Sequence, residues 1–215
     1  MNYVYLYMQS TSYKLTELFV IFVIVPISFA LDYPIWAKLS VGVFGFFYII
    51  YFLLRVQKHR FKISKGLDWP LFFKLTLIQL IVIVVVTTLY VWYADASSLY
   101  IVLRQKPLLW VSILFFYSVF SVYPQELIYR TFFFDRYQSL FKNKKLFLMC
   151  NAILFSLAHL FFRNGLVMIL TFIGGLLFAL TYNRTKSTLL VSIEHAIYGC
   201  WLFTVGMGEM LGFPS

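Results

Sequence analysis

Glu126, His159 and His195 are the residues of this sequence best suited to chemistry, because each interrupts a run of apolar residues. A carboxylate takes a proton from water, and an imidazole holds that water or stabilises a developing oxyanion. Together the three are a sufficient set for hydrolysis. They are equally a possible ligand set for a divalent metal such as zinc, with two histidines, a carboxylate and a water in the open position. The residue types leave both uses open. The chain has 3 histidines, and the third, His59, lies in a basic loop with Arg55, Lys58, Arg60, Lys62 and Lys65.

Arg130 stands four residues after Glu126, so on a regular helix the two share a face and form an ion pair. Such a pair neutralises both charges and fixes helix register, and it also makes the carboxylate a weaker base. Glu194 precedes His195 and Gln125 precedes Glu126. Adjacent helical residues point about 100° apart, so neither neighbour shares a face with the residue beside it.

These side chains must be held by helices. The 215 residues are 62% hydrophobic, 21% aromatic and only 12% charged, far from the balance of a soluble domain. Apolar windows of near-spanning length fall at about 15–31, 35–54, 71–93, 107–134, 146–162, 165–182 and 188–208. In hydrocarbon each backbone polar group must be satisfied within its own segment, and the alternation of a β-barrel is absent. The expected fold is therefore all-α, a polytopic transmembrane bundle of about seven helices forming a single integral membrane domain over 1–215. Its first apolar run lacks the basic start of a signal peptide, with Lys14 alone and Glu17 following, and is read as a retained helix.

The formal charge of +10 does not point to nucleic acid, because the basic residues lie between apolar runs rather than on a soluble face with stacking aromatics. Arg55 to Lys65 form one cluster, Arg136, Lys142, Lys144 and Lys145 a second, and Arg184 with Lys186 a third. Placing all three in the cytoplasm gives a consistent topology with the N-terminus inside. The 2 cysteines, Cys150 and Cys200, sit in apolar runs as small hydrophobes, so no disulfide framework is expected.

The runs Tyr123-Pro124-Gln125-Glu126-Leu127-Ile128-Tyr129-Arg130 and Phe155-Ser156-Leu157-Ala158-His159, followed by His195 in a late helix, resemble the CPBP group of intramembrane proteases. That group includes the type II CAAX prenyl endopeptidases and the bacteriocin-processing and immunity Abi proteins. Its pattern is E-E-x-x-x-R, then F-x-x-x-H, then H-x-x-x-N or D, each on its own transmembrane helix. The resemblance covers a core of about 107–208. It implies a protease, metal-dependent or glutamate-dependent, in which Glu126, His159 and His195 are catalytic, Arg130 holds the glutamate segment and Gln125 contacts substrate or water. Two positions depart from the pattern. Gln125 replaces the first glutamate, and Gly199 replaces the final Asn or Asp. Either Glu126 takes the base role, or another carboxylate substitutes, with Glu194 the one at hand, or activity is lost.

The expected function is an intramembrane endopeptidase of a bacterial cytoplasmic membrane, with the lipid bilayer and a peptide or membrane-protein substrate as its partners. The competing reading is a catalytically weakened or inactive relative that binds a peptide as a scaffold or immunity factor. On the topology above, cysteines introduced at Lys58 and Lys144 should both be labelled only from the cytoplasmic side. Labelling of either from outside intact cells would reverse the orientation.

Overall fold

The computed structural model describes residues 3–59, 63 and 66–212, and among these it contains helices and turns and no strand. Among the described residues, seven helices are long and apolar enough to cross a membrane: α1 (Thr11–Phe29), α2 (Ile35–Val56), α3 (Trp69–Ser98), α4 (Pro107–Leu140), α5 (Lys144–Phe162), α6 (Gly165–Thr185) and α7 (Thr188–Val205). The chain is an integral membrane protein. Ile78, Ile81, Val82, Val85, Val86 and Leu89 lie exposed along α3, an apolar surface that only lipid solvates well.

Helix starts are set by side chains that accept the first unpaired N–H groups. Ser10 accepts from Tyr13 N at 3.3 Å, Asp68 from Leu71 N at 2.9 Å, Asn143 from Lys145 N at 2.9 Å and Ser187 from Leu190 N at 3.3 Å. Asn164 does the same for α6, accepting from Leu166 N at 2.9 Å, while α4 begins on Pro107, which has no N–H to satisfy. At its far end α7 stops on Gly206, whose φ of 110° suits glycine. A Cβ there would overlap the carbonyl of Ser98.

The described residues gather into two compact units, Met1–Phe61 with Leu127–Leu180, and Lys62–Glu126 with Thr181–Ser215. In the first, Phe22 of α1 is wholly buried among Tyr129, Phe132, Phe133 and Tyr137 of α4, with ring centroids 5.1–6.4 Å away. In the second, α7 packs on α3, on α4 and on the short helix Ile101–Gln105. It is the most enclosed span, with 56% of its apolar window buried.

Arg136, one of the second basic cluster, is buried, and its Nε donates to Glu17 Oε2 at 2.6 Å. Its guanidinium also donates to the Met8 carbonyl at 2.6 Å and lies 4.4 Å from the Phe52 ring centroid. Tyr48 and Tyr137 donate to the Glu17 carboxylate at 2.6 and 3.1 Å. Nearby Asp135 pairs with His59. Hydropathy ends the fourth apolar window at 134 because two charges follow, but both charges are partnered within the protein, so α4 continues to Leu140.

Breaking a buried ion pair by removing one partner costs about 3–5 kcal/mol, because the other charge is stranded. Glu17→Gln should therefore lower the yield of monodisperse protein in detergent and its melting temperature. Glu17→Leu combined with Arg136→Met should restore much of both. A double variant no better than the single one would mean that the pair is not coupled.

Candidate active site

The second unit builds its site from α4 and α7. The α4 chain widens into a π-turn at Tyr117–Val122, returns to α geometry at Tyr123–Glu126 and widens again at Leu127–Phe132. Pro124 explains the first widening. Its ring would collide with the carbonyl of residue 120 in a regular helix, and it has no N–H to give. The same device appears in α1, where the π-turn Val20–Ile24 precedes Pro26.

The consequence is angular. Residues nine apart in an uninterrupted α-helix are separated by about 900°, half a turn out of phase. A π-turn advances only about 80° per residue, so six such residues take away about 120°. Tyr117 and Glu126 are thereby brought to within about 60° of each other, on one side of α4.

His195 faces that side from α7, two turns inside the Ser187 cap. Its Nδ1 lies 2.7 Å from Glu126 Oε1, with the two side chains 8% and 0% exposed. An ionised carboxylate only accepts, so with Glu126 ionised Nδ1 carries the proton and Nε2 becomes the acceptor. Tyr117 Oη lies 3.2 Å from that Nε2 and donates to it. The Tyr117 ring is held edge-on against Phe203 at 4.8 Å between centroids. Gly199, one turn beyond His195, makes this possible, since a Cβ at that position would overlap the Tyr117 hydroxyl and ring.

Two other sequence candidates of the second unit, Gln125 and Glu194, have partners of their own. Gln125 donates from Nε2 to Ser121 Oγ, one turn back on α4, at 2.8 Å. Glu194 is buried on the side of α7 that meets α3, where Tyr198 Oη lies 3.1 Å from Glu194 Oε1, 2.8 Å from Gln79 Oε1 and 3.1 Å from the Thr76 carbonyl. Adjacent residues on α7 thus serve two separate polar clusters. Thr76 also lines a cavity of about 230 Å³ with Leu71, Phe72, Thr181, Arg184 and Thr185.

Arg130 and His159 belong to the first unit. Arg130 is wholly buried, donates from Nη1 to Asn151 Oδ1 at 2.7 Å and lies 4.7 Å from the centroid of the Phe155 ring. Asn151 in turn donates to the Tyr129 carbonyl at 2.6 Å, so it bridges α5 to α4 through both ends of its amide. His159 follows the α-helical part of α5, with Nδ1 2.8 Å from the Phe155 carbonyl. A carbonyl can only accept, so Nδ1 is again the protonated nitrogen. Its ring stacks on Phe162 at 6.0 Å between centroids.

Among the described residues, no group of three or more His, Cys, Asp and Glu side chains gathers as a metal ion requires. Both nitrogens of His195 already have protein partners.

Tyr117 is the residue the sequence reading missed. A helical wheel puts it on the far side of α4 from Glu126. The signals that could have found it are Pro124, which marks the irregular turn, and Gly199, which marks a close approach.

Residues 107–201 match the family model described as Type II CAAX prenyl endopeptidase Rce1-like. The matched segment includes Tyr117, Glu126, Arg130, His159, His195 and Gly199. Comparison with curated proteins found no match, and comparison with solved structures found none.

Proposed function

We propose that this chain is an intramembrane endopeptidase of the CAAX prenyl endopeptidase type, in a bacterial cytoplasmic membrane, using Glu126 and His195 as its general-base pair. The observation that supports this most is the buried Glu126–His195 hydrogen bond at 2.7 Å. A carboxylate and an imidazole sharing a proton inside a helix bundle are costly to bury for packing alone, and they form a unit that both accepts and returns a proton.

In this reading a water attacks the carbonyl carbon of the scissile peptide bond. Its proton passes to the Glu126–His195 pair, the tetrahedral intermediate collapses with cleavage of the C–N bond, and the proton goes on to the leaving amine. His159, protonated at Nδ1, presents a nitrogen acceptor that suits holding the water; as an imidazolium it would instead donate to the oxyanion. Arg130 anchors the segment that follows Glu126 through Asn151, and Gln125 offers an amide to substrate or water. The cavity lined by Leu71, Phe72, Thr76 and Arg184 suits the end of a peptide substrate approaching from the basic flank.

The alternative of a non-cleaving peptide scaffold draws support from Gln125, which cannot serve as a base, and from the hydrogen bonds that satisfy both nitrogens of His195. One assay separates the two. Protein reconstituted in vesicles is given a fluorogenic peptide ending in a prenylated Cys-a-a-X sequence, and the same peptide without the prenyl group. Glu126→Gln should reduce cleavage by about 10²–10⁴-fold while leaving the protein monodisperse, and Gln125→Glu should raise the rate. Peptide binding without cleavage by the unmodified protein, unchanged by Gln125→Glu, would favour the scaffold.

A further inference from the structure

Tyr117 has a polar partner, a packing partner and a reserved space, each from a different residue of α7. The phenol reaches His195 Nε2 at 3.2 Å, the ring meets Phe203 edge-on, and the volume that a side chain at 199 would fill is taken by the hydroxyl and the ring edge. His195, Gly199 and Phe203 are successive residues of one face, four apart, so Tyr117 lies along a full two turns of α7. Nothing about packing demands the hydroxyl. A phenylalanine would make the same ring contact, and a tyrosine whose oxygen enters a buried region carries a desolvation cost unless that oxygen has a partner.

We infer that Tyr117 is a positioning residue for His195, and that position 199 is glycine because the Tyr117 phenol occupies the space a side chain there would fill. The inference rests on the protease reading for its kinetic consequence, though not for its hydrogen bond. Glu126 at Nδ1 and Tyr117 at Nε2 hold the imidazole from both ends. The carboxylate fixes the Nδ1–H tautomer, and the phenol O–H donates to the remaining lone pair. Ring rotation about χ2 would break both bonds at once, so the plane of the imidazole is fixed as well as its protonation. The chain Glu126–His195–Tyr117 ends on the phenol oxygen, which still has lone pairs to accept from a water.

Tyr117→Phe keeps the ring and its Phe203 contact and removes only the donor. In protein labelled with ¹⁵N-histidine and reconstituted in bilayers, the Nε2 resonance of His195, identified by its absence in His195→Asn, should shift by several ppm in Tyr117→Phe, while those of His59 and His159 stay in place. With the prenylated fluorogenic peptide, Tyr117→Phe should lower kcat about tenfold and leave KM within twofold, the pattern of a group that acts on the reacting state rather than on substrate binding. Gly199→Asn alone should lose activity through overlap with Tyr117, and Tyr117→Ala alone through loss of the phenol. The Tyr117→Ala/Gly199→Asn exchange should exceed both single variants. An unshifted His195 Nε2 resonance, a Tyr117→Phe protein with the unmodified kcat, or an exchange variant no better than its parents would overturn the inference. Absence of cleavage by the unmodified protein would overturn the protease reading instead, and the resonance shift alone would then decide the Tyr117–His195 bond.

Discussion

A polar group inside a membrane-spanning bundle has no water to turn to, so its partner must come from another part of the chain. The hydrogen bond between Glu126 and His195 answers this demand in the second unit, and the geometry around it follows. α7 is the most enclosed helix of the seven, and its buried face carries His195 toward α4 while Glu194 meets the Tyr198 hydroxyl beside α3. Each carboxylate has a hydroxyl or imidazole from another turn or another helix. Without those partners either would cost several kcal/mol in a low-dielectric surrounding.

Helix geometry is bent to meet the same demand. Pro124 prevents a regular turn in α4, and the resulting π-turn rotates Tyr117 onto the side where Glu126 lies. Gly199 then leaves room for the tyrosine ring. An irregular turn, a proline and a glycine are each weak signals when taken one at a time. Here they are parts of one arrangement that closes around a single imidazole, and wide turns of this kind are frequent at functional sites.

The first unit applies the same rule to arginines. Arg136 is enclosed by Glu17, the Met8 carbonyl and the Phe52 ring, and Arg130 by Asn151 and the Phe155 ring. Guanidinium suits such places because its flat faces accept aromatic rings while its edge donates in plane. The Glu17 contact also gives the N-terminal helix a fixed attachment to α4. Tyr48 of α2 joins it there.

The sequence by itself determined the membrane class and the number of spans, because both depend on the length and composition of continuous segments, and it singled out Glu126, His159 and His195 because ionisable groups in apolar runs are expensive wherever they end up pointing. The motif resemblance drawn from those residues agrees with the family match over 107–201. Only the tertiary structure decided the partners. Spacing placed Arg136 with the cytoplasmic lysines, since a positive charge near a span end reads the same whether it faces water or a buried carboxylate; Glu17, 119 residues away, settles which it is. Tyr117 was invisible for a related reason. Helical phase assumes 3.6 residues per turn throughout, and the π-turn at Tyr117–Val122, which departs from it, lies where the phenol meets His195.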